Sequence, residues 1–140
     1  MTEPVWLAAT DVLGLHEMQI AEIGGAAGIR DAGGIEANVA RPQHHFDLGG
    51  VSDVHHLAAI YAAAFATTQH FIDGNKRTAF ACALLFLELN GWTLAADPLE
   101  AAEKTLELAN KRLTAEQYGE WLKVNSMQPR HNRQRKRRRQ

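Results

Sequence analysis

Apolar residues recur at helical spacing through most of the chain, and the breaks in that rhythm divide it into segments. Val12, Leu15, Ile20 and Ile23 fall on or near one face, which predicts a helix from a Thr10 cap to about Ile23, ended by Gly24-Gly25. Gly28-Ile29-Arg30-Asp31-Ala32-Gly33-Gly34 reads as a structured turn, and Ile35 to Ala40 as a short helix stopped by Pro42. Arg41 to Val51, with Gly49 and Gly50, reads as an irregular or hairpin-like connection. Ser52 then caps a helix carrying Val54, Leu57, Tyr61, Ala64 and Phe65, which fades through Thr67-Thr68-Gln69. From about Arg77 to Asn90 the next helix is apolar on nearly every side, so it is expected to be central and fully buried. Asp97-Pro98-Leu99-Glu100 combines a capping acid, a first-turn proline and a reach-back glutamate, predicting a helix to about Arg112. Thr114 and Gln117 repeat the capping box for a last helix to about Val124. No strand of convincing length and no repeat is visible, so the pattern predicts an all-α, compact helical bundle with a short irregular or hairpin flap.

Composition narrows this further. A chain of 140 residues is one domain, long enough for a core without disulfides or metals. The apolar run Ala79 to Leu87 has nine residues, half of what a membrane span needs, and the N-terminus lacks a signal-peptide pattern. The single cysteine, Cys82, lies inside that run and reads as a buried thiol, consistent with a reduced, cytoplasmic protein without membrane attachment. The net charge of −1 hides an asymmetry: residues 1–129 carry −8, and residues 130–140 carry 7 basic residues and no acid. A domain this acidic does not grip nucleic acid through a basic face. Residues 1–125 are therefore read as the domain, and 126–140 as a disordered basic tail able to attract nucleic acid weakly.

One stretch looks built for chemistry: His70-Phe71-Ile72-Asp73-Gly74-Asn75-Lys76-Arg77-Thr78. A polar loop feeding an apolar helix favours phosphate, because the free amides and the helix dipole attract negative charge and two cations add to it. Phe71 serves as an anchor, Gly74 permits a sharp turn or close approach, Asn75 and Lys76 bond phosphate oxygens, and Arg77 binds them bidentately. Asp73 is the candidate metal ligand for the divalent cation that accompanies nucleotide phosphates. The paired His44-His45 and His55-His56 lack helical metal-site spacing, and His16-Glu17 has Ile20 where a zincin would place a second His.

These residues resemble the Fic/Doc family, whose signature has the form H-x-F-x-[DE]-G-N-[GK]-R, and Lys76 followed by Thr78 and Ala79 is similar to the Doc (death-on-curing) toxin branch. The flanking Val12-Leu13-x-Leu15-His16-Glu17, Gly28-Ile29-Arg30-Asp31, Ala40-Arg41-Pro42 and Leu84-Leu85-Phe86-Leu87-x-x-Asn90-Gly91 blocks extend the resemblance over most of residues 5–125. It implies ATP and Mg2+ as cofactors, with Asp73 orienting metal or nucleotide, Gly74, Asn75 and Lys76 forming the phosphate loop, and Arg77 as clamp. It implies a toxin of a type II toxin–antitoxin pair that transfers phosphate from ATP to a hydroxyl, a threonine of elongation factor Tu, and so blocks translation. AMP transfer, as in the Fic branch, is the sibling chemistry. A Phd-like antitoxin is the implied partner, with DNA reached through it, and His44, His45 and Phe46 fall where the family's substrate flap lies.

The chain departs from the signature at one position. Where the family has a general-base His two places before the Phe, this sequence has Gln69, and its nearest His, His70, is one place late. A one-residue shift on a helix turns a side chain by about 100° and moves it about 1.5 Å. Three readings stay open: His70 replaces the base, the chemistry is weak or lost while nucleotide and partner binding survive, or position 69 carries a deliberate inactivating change.

Overall fold

The computed structural model describes residues 2–129 and holds six helices and one two-stranded ribbon among them. Helix α1 (Ala9–Ile23) starts after Ala8, whose N–H is bonded by Asp11 at 2.7 Å, so the cap lies two residues before the expected Thr10. Of the four apolar positions expected on one face, Val12 is buried, but Ile23 is exposed. The other buried residue of α1 is His16, one turn on from Val12.

Helix α2 (Ala32–Gly49) corrects the sequence reading. Asp31 caps it by accepting the Gly34 N–H at 2.9 Å, and it then runs straight through Pro42, leaving no hairpin or irregular flap at residues 41–51 as far as Gly49. A proline inside a helix costs about 3 kcal/mol. Here Ile35, Asn38 and Pro42 repeat at helical spacing on one buried face, continued by Phe46 against the core, and that face outweighs the break. Asn38 donates to Ala64 O at 3.0 Å and to Thr68 Oγ1 at 3.1 Å, which ties α2 to the end of the following helix.

The centre of the bundle is α3 (Val54–Ala66), with ten of its residues buried, and not the following helix as the pattern suggested. Its many alanines let α2, α4 (Asn75–Leu89) and α6 (Ala115–Val124) approach closely. Asp53 caps α3 in place of the expected Ser52. Helix α4 buries Ala79, Cys82, Ala83, Phe86 and Leu87 but leaves Phe80 and Leu84 half-exposed. Those two residues line an apolar groove of about 620 Å³ shared with Leu94, Ala101 and Leu106, and Lys76 and Arg77 also line it.

Helix α5 (Pro98–Ala109) starts at the expected Asp97 cap, which accepts the Glu100 N–H at 3.1 Å, and α6 at the expected Thr114–Gln117 capping box. β1 (Thr93–Leu94) pairs antiparallel with β2 (Ser126–Met127), so ordered structure runs past the expected boundary at residue 125. The basic tail at 130–140 lies outside the described residues. No helix among the described residues is long and apolar enough to cross a membrane.

Candidate functional site

The end of α3 sets where the motif loop begins. Thr67 and Thr68 turn their hydroxyls back onto Ala63 O and Ala64 O at 2.6 and 2.7 Å, closing the helix and releasing the chain at Gln69. Residues 70–72 then run antiparallel to 28–31: Arg30 and Asp31 N–H both donate to His70 O, at 2.7 and 3.0 Å, and Ile72 N–H donates to Gly28 O at 3.1 Å. Phe71, fully buried, is the anchor the sequence suggested. Burying such a ring stabilises by about 1.5–3 kcal/mol.

The loop closes on itself through Asn75, whose Oδ1 accepts the Phe71 N–H at 3.1 Å while its Nδ2 donates to Phe71 O at 3.0 Å. The side chain expected to meet phosphate is thus spent on holding the turn. Gly74 takes a left-handed conformation (φ 77°) and leads directly into α4, as its position in the motif suggested. The loop borders a pocket of about 310 Å³ that brings together Gln69, Asp73, Gly74, Asn75, Lys76 and Arg77.

His70 is not among the residues around that pocket. Its ring lies against Gly34, so tightly that a Cβ there would collide with it, and its Nδ1 is 3.7 Å from Asp31 Oδ2 at the start of α2. Gln69 occupies the pocket wall instead, and Arg30 Nη1 donates to its Oε1 at 3.3 Å.

A short strap, Gly24-Gly25-Ala26, crosses the loop. Ala26 N–H donates to Asp73 Oδ2 at 3.2 Å, Gly74 N–H to Asp73 Oδ1 at 2.8 Å, and Arg77 Nη2 to Gly24 O at 3.1 Å. The two backbone bonds hold the exposed Asp73 carboxyl below its usual range, so it is charged at neutral pH. A single carboxylate of this kind suits Mg2+, which keeps most of its waters and takes one or two protein carboxylates plus phosphate oxygens. Among the described residues no cluster of His, Cys, Asp or Glu forms a metal cage.

The fold and the loop have their counterparts in known proteins. A model described as the Fic/DOC family matches residues 6–87. The protein named "Protein kinase doc", from Escherichia phage P1, is 32% identical over 117 residues, covering 84% of this chain and 92% of that protein. The chain belongs to the Fic/Doc family. "Toxin Doc" from Mycolicibacterium smegmatis is 41% identical over 75 residues, 53% of this chain and 58% of its own. Both relatives lie on the Doc branch of Fic/Doc that the residues after Asn75 indicated.

Sequence reasoning missed two residues of the site. Arg30, which pairs with Gln69, has no role in the sequence reading beyond the turn and the family-like block it belongs to. His16, 4% exposed, bonds Asp73 O and was set aside for lacking metal-site spacing. Its signal was its place on the buried face of α1, one turn after Val12 and one before Ile20.

Proposed function

We propose that the chain is a Doc-like toxin that moves the terminal phosphate of ATP to a hydroxyl of a translation factor, a threonine of elongation factor Tu being the target the family suggests. The observation that carries this reading is the pocket at the start of α4, where Lys76 and Arg77 stand beside Asp73 and the first turn's amides. Relatives named as a kinase and as a toxin support it. Asp73 would hold Mg2+, which neutralises phosphate charge when bound. Lys76 and Arg77 orient the phosphates and draw the developing charge toward the helix start.

Transfer forms a bond from the target oxygen to the terminal phosphorus and breaks the bond to the ADP oxygen, with the hydroxyl proton released to solvent. Gln69 faces the pocket but takes no proton at neutral pH, and His70 is turned away. Without a base the step loses about 10²–10⁴ in rate. Positioning and charge neutralisation supply most of phosphoryl-transfer catalysis, so slow transfer with intact nucleotide binding is the reading.

A Phd-like antitoxin is the implied partner. DNA is met through it, with any contribution of residues 130–140 being weak.

Incubating elongation factor Tu with γ-labelled and α-labelled ATP in separate reactions tests the chemistry. Slow transfer of γ label by the unaltered chain, raised about 10²-fold or more by Gln69→His, supports the reading. Transfer of α label instead makes it an AMP transferase. No transfer by either form, with no growth arrest, refutes the enzyme.

A further inference from the structure

We propose that His16 is the positioning residue of the motif loop: it fixes the Asp73–Gly74 peptide so that the Gly74 N–H holds the Asp73 carboxylate at the nucleotide pocket. This rests on the nucleotide reading above and adds to it a residue 57 positions away in sequence.

His16 Nε2 lies 2.8 Å from Asp73 O. A carbonyl only accepts, so Nε2 carries the proton. The ring also stacks on Phe71, with centroids 3.9 Å apart and planes 11° from parallel. Phe71 is immobilised by complete burial and by the two Asn75 bonds, so His16 is held from one side and holds the loop from the other.

A trans peptide points its C=O and N–H in opposite directions. Drawing the Asp73 carbonyl to His16 therefore turns the Gly74 N–H the other way, where it donates to Asp73 Oδ1 at 2.8 Å, and both residues line the pocket. Gly74, at φ 77°, offers little resistance to a flip of that peptide. Were the peptide to flip, a carbonyl oxygen would be set against the Asp73 carboxylate and the bond that orients that carboxylate would be lost. His16 removes that alternative with one part-buried bond.

Calorimetry with Mg-ATP tests this on three proteins. His16→Phe keeps an aromatic ring on Phe71 and removes the donor, and His16→Gln keeps an N–H donor and removes the ring. With unfolding temperatures confirming the fold, His16→Phe is expected to bind about tenfold or more weakly than the unaltered chain, with His16→Gln recovering part of the loss. Equal binding by His16→Phe overturns the role, and so does an equal loss in both variants, which would assign the effect to packing. Absence of binding by the unaltered chain overturns the nucleotide reading itself and this inference with it. If His16→Phe does not fold, the ¹⁵N spectrum of the unaltered protein decides. A proton on Nε2 with scalar coupling to the Asp73 carbonyl carbon supports the bond, and a bare Nε2 overturns it.

Discussion

Asn75 is the residue whose structural and chemical roles separate most cleanly, and Asn75→Ala is the perturbation that separates them. Its side chain bonds both the N–H and the C=O of Phe71, at 3.1 and 3.0 Å, in a part-buried position. Each such bond contributes about 0.5–1.5 kcal/mol net, and a group left without a partner costs about 1–3 kcal/mol. The two together predict a loss of about 2–4 kcal/mol, since part-burial lets water recover some of the cost. For a chain of this size that lowers the unfolding temperature by about 10 °C. Asn75→Asp keeps the acceptor for Phe71 N–H but sets a carboxylate oxygen against Phe71 O, so it is expected to be at least as unstable. Urea unfolding of the three proteins measures this directly. Mg-ATP binding is then measured well below the lowered transition, where the loop is still formed. Should Asn75→Ala unfold with the unaltered chain yet lose nucleotide binding, the side chain would be a phosphate ligand and the geometric reasoning would be wrong.

Three further outcomes follow from the same geometry. Arg77→Gln removes a charge whose bond to Gly24 O is exposed, so stability should barely change while Mg-ATP affinity falls by roughly 10–100-fold, read by calorimetry. Burial of His55 lowers its proton affinity below the ordinary 6.5, only partly offset by Asp53. A histidine depressed in the folded state favours folding while neutral, so stability is expected to fall as pH drops below 6.5, and His55→Leu should flatten that part of a stability–pH curve. Burial pushes the Cys82 thiol up to about 12, so labelling by a thiol reagent should proceed no faster than unfolding, and rapid labelling of the folded protein would contradict the packing around it.

What was legible in the sequence is what short-range chemistry decides. The Asp97 and Thr114 caps act over three residues, and both helices start where those caps place them. Pro42 is also a local signal, but a misleading one. The buried row Ile35, Asn38, Pro42 keeps α2 intact, and that row exists only once α3 is beside it. Burial was misassigned for a related reason. Nine unbroken apolar residues made α4 look central, yet centrality went to α3, because alanines admit neighbours that Phe80 and Leu84 do not. The site divides in the same way. Asp73 to Arg77 are contiguous and were readable as a unit. His16 and Arg30 reach the loop from 57 and 39 residues away, and no spacing rule connects them to it.

The strap explains how a loop this charged rests without a partner and still remains available to one. Asp73 is held by two backbone N–H groups and Arg77 by one backbone carbonyl, each charge meeting a neutral group. Among the described residues neither charge sits in a buried ion pair, so a polyphosphate entering as proposed would not incur the several kcal/mol that breaking one costs. On the proposed reading Arg77 would exchange one neutral carbonyl for an anionic phosphate that can take two parallel bonds from the guanidinium. Gly24 and Gly25 adopt φ of 99° and 115°, and a Cβ on Gly25 would lie 2.7 Å from Asp73 Oδ2. Two glycines are thus what lets the strap lie close enough to satisfy the charges at rest. Contacts of this strength fix the geometry of the site yet yield to a better acceptor, which is the balance the proposed nucleotide pocket requires.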